Sequence, residues 1–334
     1  MPEEVTLVPR PRVLVCREIF REAYETIEAE ADAEMWTEYL PMSRSVLLEK
    51  IKGVDGVLSM VTERVDAELM DSAGSQLRVI SQFGVGFDNI DVAEATSREI
   101  AVGNTPDVLT QTTADAAFAL LMAAARRIVE GARAVREGKW ETWHPLHYLG
   151  QDVHGSTLGI MGMGRIGGAM ARRARGFDMD VLYTDIARRK DMEAELSLRY
   201  VDQDTLLRES DFVSLHTVLS DATYHLIGER ELSMMKPTAV LINASRGPVV
   251  DPRALYQALS AGEIAAAALD VTEPEPILMD DPLLTLDNCV IVPHIASASV
   301  KTRAEMSRIA AQNLLDGVRG ERPRYCVNPE VYER

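Results

Sequence analysis

Three short stretches place polar side chains beside small residues in a way that suits acid–base chemistry on a small anion: NASRG at 243–247, LDVTEPEP at 269–276 and VPHIAS at 292–297. Each belongs to or follows an apolar run that reads as a strand, AVLI, AAAL and CVI. In a doubly wound parallel sheet, ligands sit outside the carboxyl ends of the strands, so Arg246, the acids of DVTEPEP and His294 are expected to converge. Reducing a 2-oxo acid needs a cation for the carboxylate, a hydride donor, and a proton donor for the carbonyl oxygen. Arginine presents a planar fork that matches a carboxylate bidentately. A histidine donor works best when a neighbouring carboxylate favours its imidazolium form. Asp270, Glu273 and Glu275 all stand near enough in sequence to be that neighbour, and spacing alone does not choose among them. Singly, Arg246 reads as a surface arginine and His294 as a satisfied core histidine; the functional reading comes from their joint spacing with the acids.

A second motif indicates the hydride donor. Gly162-Met163-Gly164-Arg165-Ile166-Gly167 follows a strand pattern (TLGIM) and opens a helical one. In that context Gly162 permits the tight turn, Gly164 lets the backbone approach a pyrophosphate, Gly167 lets helix and strand pack closely, and the helix N-terminus attracts phosphate. The next strand pattern, VLYTD, ends in Asp185, 18 residues beyond Gly167, where a carboxylate can accept hydrogen bonds from the ribose hydroxyls. That carboxylate repels a 2′-phosphate, so NAD(H) is expected over NADP(H). Arg188 and Arg189 follow closely, and read first as solvated charges at a helix start.

The elements that position these motifs form two alternating series. From Val13 the order is strand (VLVC), helix (EIFREAYETIEAEA), strand (GVLSM), helix (DAELMDSA) and strand (LRVIS), with a further strand at AVGN. One long helix is expected over TADAAFALLMAAARRIVEGARAVREG, followed by an irregular arm at 139–155. A larger series then runs from TLGIM to CVIVPH, and a closing helix ASVKTRAEMSRIAAQNLLDGVRG could pack on either half. The fold class is therefore α/β, with two doubly wound parallel-sheet (Rossmann-like) domains and the active site in the cleft between them. The expected division is a discontinuous, flavodoxin-like substrate domain at 1–106 plus 298–334, and a nucleotide-binding domain at 107–297 that carries an arm around 120–152.

Composition narrows the partners. The 334 residues carry a formal charge of −17 and no basic block, which argues against nucleic acid and anionic membranes. The longest apolar run, AAFALLMAAA, is too short to span a bilayer. Cys16, Cys289 and Cys326 lack any C-x-x-C spacing and read as reduced thiols. MPEEVTLVPRPRVLVC does not look like a basic leader, so a cytoplasmic protein is expected. His144, His147 and His154 fall close together, but no Cys, Asp or Glu joins them at a zinc-like spacing, and no metal is expected.

These motifs together resemble the D-2-hydroxyacid dehydrogenase family, and within it the glyoxylate/hydroxypyruvate reductases. The resemblance covers nearly the whole chain through FGVGFDNID, NTPDVLTQTTAD, TLGIMGMGRIG, SRG, LDVTEPEP and PHIASAS. It implies an NAD(H)-dependent oxidoreductase that reduces a small 2-oxo acid to the D-2-hydroxy acid. Arg246 would bind substrate, Glu275 would be the catalytic glutamate, and His294 the acid/base. Cofactor contacts map onto Arg165, Ile166, Thr217, Ala244, Ser245 and Asp270, with Asp270 at the nicotinamide carboxamide, while Glu273 is left solvent-exposed and without a role. The backbone of Val85 and Gly86 would hold the substrate carboxylate. The arm implies a homodimer in which Trp143 reaches the active site of the partner subunit. Thr272 and Ala296 stand where the family usually has an aromatic residue and glycine, which alters packing near the nicotinamide. Two rival readings share the motifs: a D-3-phosphoglycerate dehydrogenase, and an NAD-sensing scaffold resembling C-terminal-binding protein corepressors.

Overall fold

The computed structural model describes residues 9–333. Residues 1–8, part of the stretch read above for a leader, lie outside the described residues. The chain forms two compact units: one runs to Leu109 and resumes at Ser299, and the other spans Thr110–Ala298.

The first unit is built on a five-stranded parallel sheet of β1 (Arg12–Val15), β2 (Asp32–Met35), β3 (Gly56–Ser59), β4 (Val79–Gln82) and β5 (Ala101–Gly103), in the order β2-β1-β3-β4-β5. Its strands are short apolar runs because helices cover both faces. Leu14 and Cys16 point into one layer with Val57, Ile80 and Val102, while Val13 and Val15 point into the other with Leu58 and Val79. β2 and the helix Arg44–Lys50 were not expected: DAEM is half polar and four residues long, as befits an edge strand with only one neighbour.

The closing helix Val300–Val318, free by pattern to join either half, packs on this first sheet. Its buried stripe, Ala310, Ala311, Leu314, Leu315 and Val318, meets Val13, Val15, Val79 and Ala101. Ser81 Oγ donates to the Ala310 carbonyl at 2.8 Å, and Asn313 Nδ2 to the Asn104 carbonyl at 2.8 Å. Small side chains let helix and sheet approach closely, and these buried polar bonds set the register.

The second unit holds a seven-stranded parallel sheet: β6 (Thr157–Met161), β7 (Asp180–Thr184), β8 (Arg199–Tyr200), β9 (Phe212–Leu215), β10 (Val240–Asn243), β11 (Ala266–Leu269) and β12 (Cys289–Ile291), in the order β12-β11-β10-β9-β6-β7-β8. The strand order reverses at β6, beside β9, which is where a doubly wound sheet opens its ligand crevice.

The single long helix expected over 113–138 is in fact two, Thr110–Ala125 and Ile128–Arg136. Arg127 breaks it with φ 52°. The Ala125 carbonyl accepts from Gln151 N at 2.8 Å, where the returning arm docks, rather than continuing the helical ladder. Arg127 then pairs with Glu130 (2.6 Å) in the first turn of the next helix. Among the described residues, no helix is long and apolar enough to cross a membrane. The cysteines are unpaired, and burial pushes the thiols of Cys16 and Cys289 up, the latter to about 12.

Candidate active site

The glycine turn follows β6 directly. Gly162 has φ +94°, and a Cβ there would lie 2.7 Å from the His216 carbonyl, so only glycine fits between the ends of β6 and β9. Gly167 packs against the same turn, where a Cβ would meet the Gly162 carbonyl oxygen at 2.1 Å. Gly164 differs: nothing lies within 4 Å of where its Cβ would be. It is the N-cap of helix Arg165–Ala174 and offers no capping side chain, so the first-turn amides open onto that space. Arg165 is exposed and Ile166 half-buried beside it. Just beyond the end of the neighbouring strand β9, Thr217 Oγ1 is buried without a hydrogen-bond partner. An open cradle at a helix start and an orphaned buried hydroxyl beside it fit a bound dinucleotide. His216, adjacent, is pushed down to about 4 by burial; Ser214 Oγ lies 2.9 Å from its Nε2, and its Nδ1, like Thr217 Oγ1, is buried without a hydrogen-bond partner.

Asp185 stands at the end of β7, half-buried. One carboxylate oxygen accepts from Met163 N of the glycine turn at 2.6 Å, the other from Ala187 N at 3.1 Å. Arg188 and Arg189 are not simply solvated: Arg188 pairs with Glu193 at 2.8 Å and Arg189 with Asp191 at 2.8 Å. Their guanidinium groups hold Glu193 and Asp191 down to about 2 each.

The three motif-bearing turns leave the carboxyl ends of three adjacent strands, β10, β11 and β12. After β10, the buried Asn243 shapes the turn: its Oδ1 accepts from Ser245 N (3.0 Å) and Ser245 Oγ (2.8 Å), and its Nδ2 donates to the Arg246 carbonyl (2.8 Å). Ala244 is buried, while Ser245 and Arg246 are partly open. A Cβ on Gly247 would sit 1.9 Å from the Thr272 carbonyl oxygen, so the glycine after Arg246 is what lets the second turn lie on the first.

That second turn begins at Asp270, which is 2% exposed. Its carboxylate accepts from Ile295 N (2.6 Å) and Ala296 N (3.0 Å), and its carbonyl from His294 N (2.9 Å). Burial raises its pKa, while those two amide bonds and His294 pull it back down. Asp270 thus clamps the segment that carries His294, a role the spacing did not disclose. His294 itself sits at φ 51°, in a region that few non-glycine residues occupy and that clusters at functional sites.

His294 Nδ1 lies 2.5 Å from Glu275 Oε1, with both side chains about one-third exposed (30% and 38%). Of the three acids, Glu275, the one the resemblance names, is the one whose side chain meets the His294 ring. Glu275→Gln is expected to lower kcat for reduction about tenfold or more, because the His294 ring loses the charged acceptor that orients it through Nδ1. A kcat equal to that of the parent would refute a role for the pair.

Glu273 differs from its expectation. It is not a bare solvent-facing acid, since its Oε2 lies 2.7 Å from His225 Nε2. The two residues stand 48 apart in sequence, and no local spacing could have joined them. Val85 and Gly86 lie in the first unit, on the loop after β4, where Asn104 Nδ2 donates to the Val85 carbonyl at 2.8 Å and Gln82 Nε2 to that of Gly86 at 3.3 Å. Trp143 is 79% exposed on the arm, alongside exposed Trp140, Leu146 and Leu149. The clustered histidines separate into a stacked pair, His144 and His147 (ring centroids 4.2 Å apart), and a His154–Asp178 contact at 3.1 Å.

Residues 118–296 match the family described as D-isomer specific 2-hydroxyacid dehydrogenase, NAD binding domain. The chain belongs to that family. It is thereby an oxidoreductase of the D-2-hydroxyacid dehydrogenase type. A protein named glyoxylate reductase from Korarchaeum cryptofilum is 55% identical over 323 residues, 96% of this chain and 97% of the relative. Among solved structures, a Thermus thermophilus protein superposes with a TM-score of 0.89 at 42% identity, covering 95% of this chain and 99% of the other. An NADPH-dependent glyoxylate/hydroxypyruvate reductase from Sinorhizobium meliloti, solved with NADP and malonate, gives 0.84 at 32% identity, covering 95% and 97%. The dehydrogenase motifs carried by these three strand ends and the glycine turn all lie in the second unit.

Proposed function

We propose that this dehydrogenase reduces a small 2-oxo acid, glyoxylate or hydroxypyruvate, with NADH, yielding the D-2-hydroxy acid where the product is chiral. The observation that carries this reading is the 2.5 Å His294–Glu275 pair beside the Arg246 turn, at the carboxyl ends of adjacent strands. Arg246 binds the substrate carboxylate and polarises the neighbouring carbonyl. With Nδ1 held by Glu275, the His294 Nε2 proton goes to the carbonyl oxygen. The nicotinamide, when bound, supplies the hydride that C2 receives. Asp270, whose side-chain oxygens each accept one amide bond and keep a further lone pair, would meet the carboxamide. Gly162, Gly164, Arg165, Ile166 and Gly167 would hold the pyrophosphate, Thr217, Ala244 and Ser245 would line the nucleotide, and the Val85 and Gly86 amides would contribute to the substrate carboxylate.

Following NADH oxidation spectrophotometrically against glyoxylate, hydroxypyruvate, pyruvate and phosphohydroxypyruvate tests this. Glyoxylate and hydroxypyruvate are expected to give the highest kcat/KM. A preference for phosphohydroxypyruvate would move the reading to a phosphoglycerate dehydrogenase, and no turnover with any of the four would defeat it.

NAD(H) over NADP(H) rests on charge. Asp185 presents a carboxylate at the ribose corner, and the nearby Arg188 and Arg189 are already engaged by Glu193 and Asp191. Two like charges about 4 Å apart repel by about 1 to 4 kcal/mol between bulk water and a protein surface. Asp185→Asn retains an acceptor for Met163 N and is expected to raise the NADPH-to-NADH ratio of kcat/KM about tenfold or more. An unchanged ratio would remove Asp185 as the determinant.

The exposed tryptophans and leucines of the arm suit a two-fold contact with a second copy, to which Trp143 would contribute. Sedimentation of the parent is expected to show a dimer, and Trp143→Ala to alter KM for the oxo acid. A monomeric parent would end this reading.

A further inference from the structure

The DVTEPEP turn carries a second imidazole–carboxylate pair. His225 Nε2 lies 2.7 Å from Glu273 Oε2, the Tyr224 hydroxyl donates to Glu273 Oε1 at 3.3 Å, and Asp251 Oδ2 stands 3.9 Å from His225 Nδ1. The Tyr224 and His225 rings stack with centroids 4.0 Å apart and planes 17° from parallel. His225 adopts φ 48°, a left-handed conformation seldom taken by residues other than glycine. Its backbone N donates to the Pro248 carbonyl at 2.8 Å, and Ile227 N donates to that of Val249 at 3.0 Å. His225 is therefore tied by its backbone to the turn that follows Arg246 and by its ring to the turn that carries Glu275.

Residues 271–281 contain no helix or strand, so ladder hydrogen bonds do not hold Glu275 in place. The hydrogen bonds of Thr272 Oγ1 to the Pro274 carbonyl (2.7 Å) and of Thr272 N to Glu275 Oε2 (3.4 Å) are internal to the turn, and shape it without locating it. Asp270 anchors its start, and the Glu273–His225 contact holds its middle from outside. A reacting constellation must be held to within about 0.5 Å by supporting side chains.

We propose that His225 and Glu273 act as positioning residues, bolting the Glu275 turn to the Arg246 turn so that the substrate-binding guanidinium and the partner of His294 keep their register. The proposal rests on the reading of Arg246, Glu275 and His294 given above, and its test separates the two.

Steady-state kinetics of reduction would be measured for Glu273→Ala, His225→Phe, the double variant, Glu273→Gln and, alongside, His294→Ala. His225→Phe keeps a ring to stack on Tyr224 but removes the donor. Glu273→Ala and His225→Phe are each expected to lower kcat about 10- to 100-fold, as a small displacement of reacting groups does, with KM for NADH unchanged. The double variant should be no worse than the worse single one, since both singles already break the shared His225–Glu273 contact. Glu273→Gln, which still accepts from Nε2–H, should recover most of kcat. Melting temperatures separate positioning from folding, because a purely structural role would lower them and leave kcat per folded molecule intact. Full kcat in both single variants, or additive losses in the double, would overturn the bolt while an inactive His294→Ala left the site reading standing. An active His294→Ala would instead overturn the site reading and the bolt with it.

Discussion

His294→Ala is expected to lower kcat for reduction by about 10²- to 10⁴-fold, the usual worth of a positioned general acid, while NADH still binds. The geometry explains the size. His294 Nδ1 lies 2.5 Å from Glu275, and His294 N is held by the Asp270 carbonyl at 2.9 Å, so the ring is oriented by a carboxylate partner and its backbone is fixed. The alanine leaves the carbonyl oxygen of the substrate without a donor as negative charge develops on it. The glycine turn and Asp185 are untouched by the change, because they sit at β6 and β7 rather than at β12. Fluorescence titration with NADH should therefore return the affinity of the parent. Turnover within threefold of the parent would remove His294 from the chemistry.

Arg246→Ala is expected to raise KM for the 2-oxo acid and also lower kcat, for a combined loss in kcat/KM of about 10²- to 10³-fold or more, comparable to deleting one donor to a developing oxyanion. Arg246→Lys should recover little of it. A guanidinium offers two parallel N–H bonds to a carboxylate, and an ammonium offers a point charge on a flexible stem. The backbone of residue 246 is fixed chiefly by Asn243, whose Nδ2 donates to its carbonyl at 2.8 Å and whose Oδ1 holds Ser245, while the guanidinium adds one bond from Nη1 to the Ser245 carbonyl at 3.0 Å. Loss of the guanidinium should then leave the turn in place, and the KM for NADH should stay near that of the parent. Full recovery in Arg246→Lys would show that charge alone, without the fork, accounts for binding.

The two predictions differ in what they read. Removing the proton donor acts on kcat with the ground state still bound, whereas removing the carboxylate fork acts on binding and on polarisation together. The same division applies to the supporting residues. Asp270 sits behind His294, Asn243 behind Arg246, and the His225–Glu273 pair between the turns that carry Arg246 and Glu275.

Much of this site was legible in the order of residues because its chemistry rides on strand ends. A short apolar run followed by a small residue and a polar one places that polar group at the carboxyl edge of a parallel sheet, so Arg246, Asp270 and His294 could be assigned to one edge before any coordinates. The glycine turn was legible for the same reason, as strand, turn and helix are contiguous. What escaped were groups defined by side-chain contact, near or far, rather than by strand or helix pattern. Asn243 reads as one more polar residue in AVLINAS, yet it is the buried template of the Arg246 turn. Arg188 and Arg189 read as solvated charges, yet acids a few residues further on engage them both. The helix expected to run unbroken through Arg127 ends at Ala125 because a residue 26 positions later, Gln151, takes its carbonyl bond.

From its sequence alone, the protein's α/β class and its glycine turn could be stated and Arg246 and His294 placed on one sheet edge, since each depends on local pattern and on strand ends, whereas Glu275 was named through the family resemblance. What Glu273 touches and to which sheet the closing helix goes were decided only in the folded chain, which also brings Glu275, named by the resemblance, against the His294 ring. The acids Asp270, Glu273 and Glu275 all stand too far from His294 in sequence for local spacing to rank them, and a helix with an apolar stripe can pack on any sheet of matching texture. Only the pairing of β11 with β12, the approach of the Thr272 carbonyl to Gly247, and the bonds of Ser81 and Asn313 with the helix and its neighbour select one arrangement among these equals.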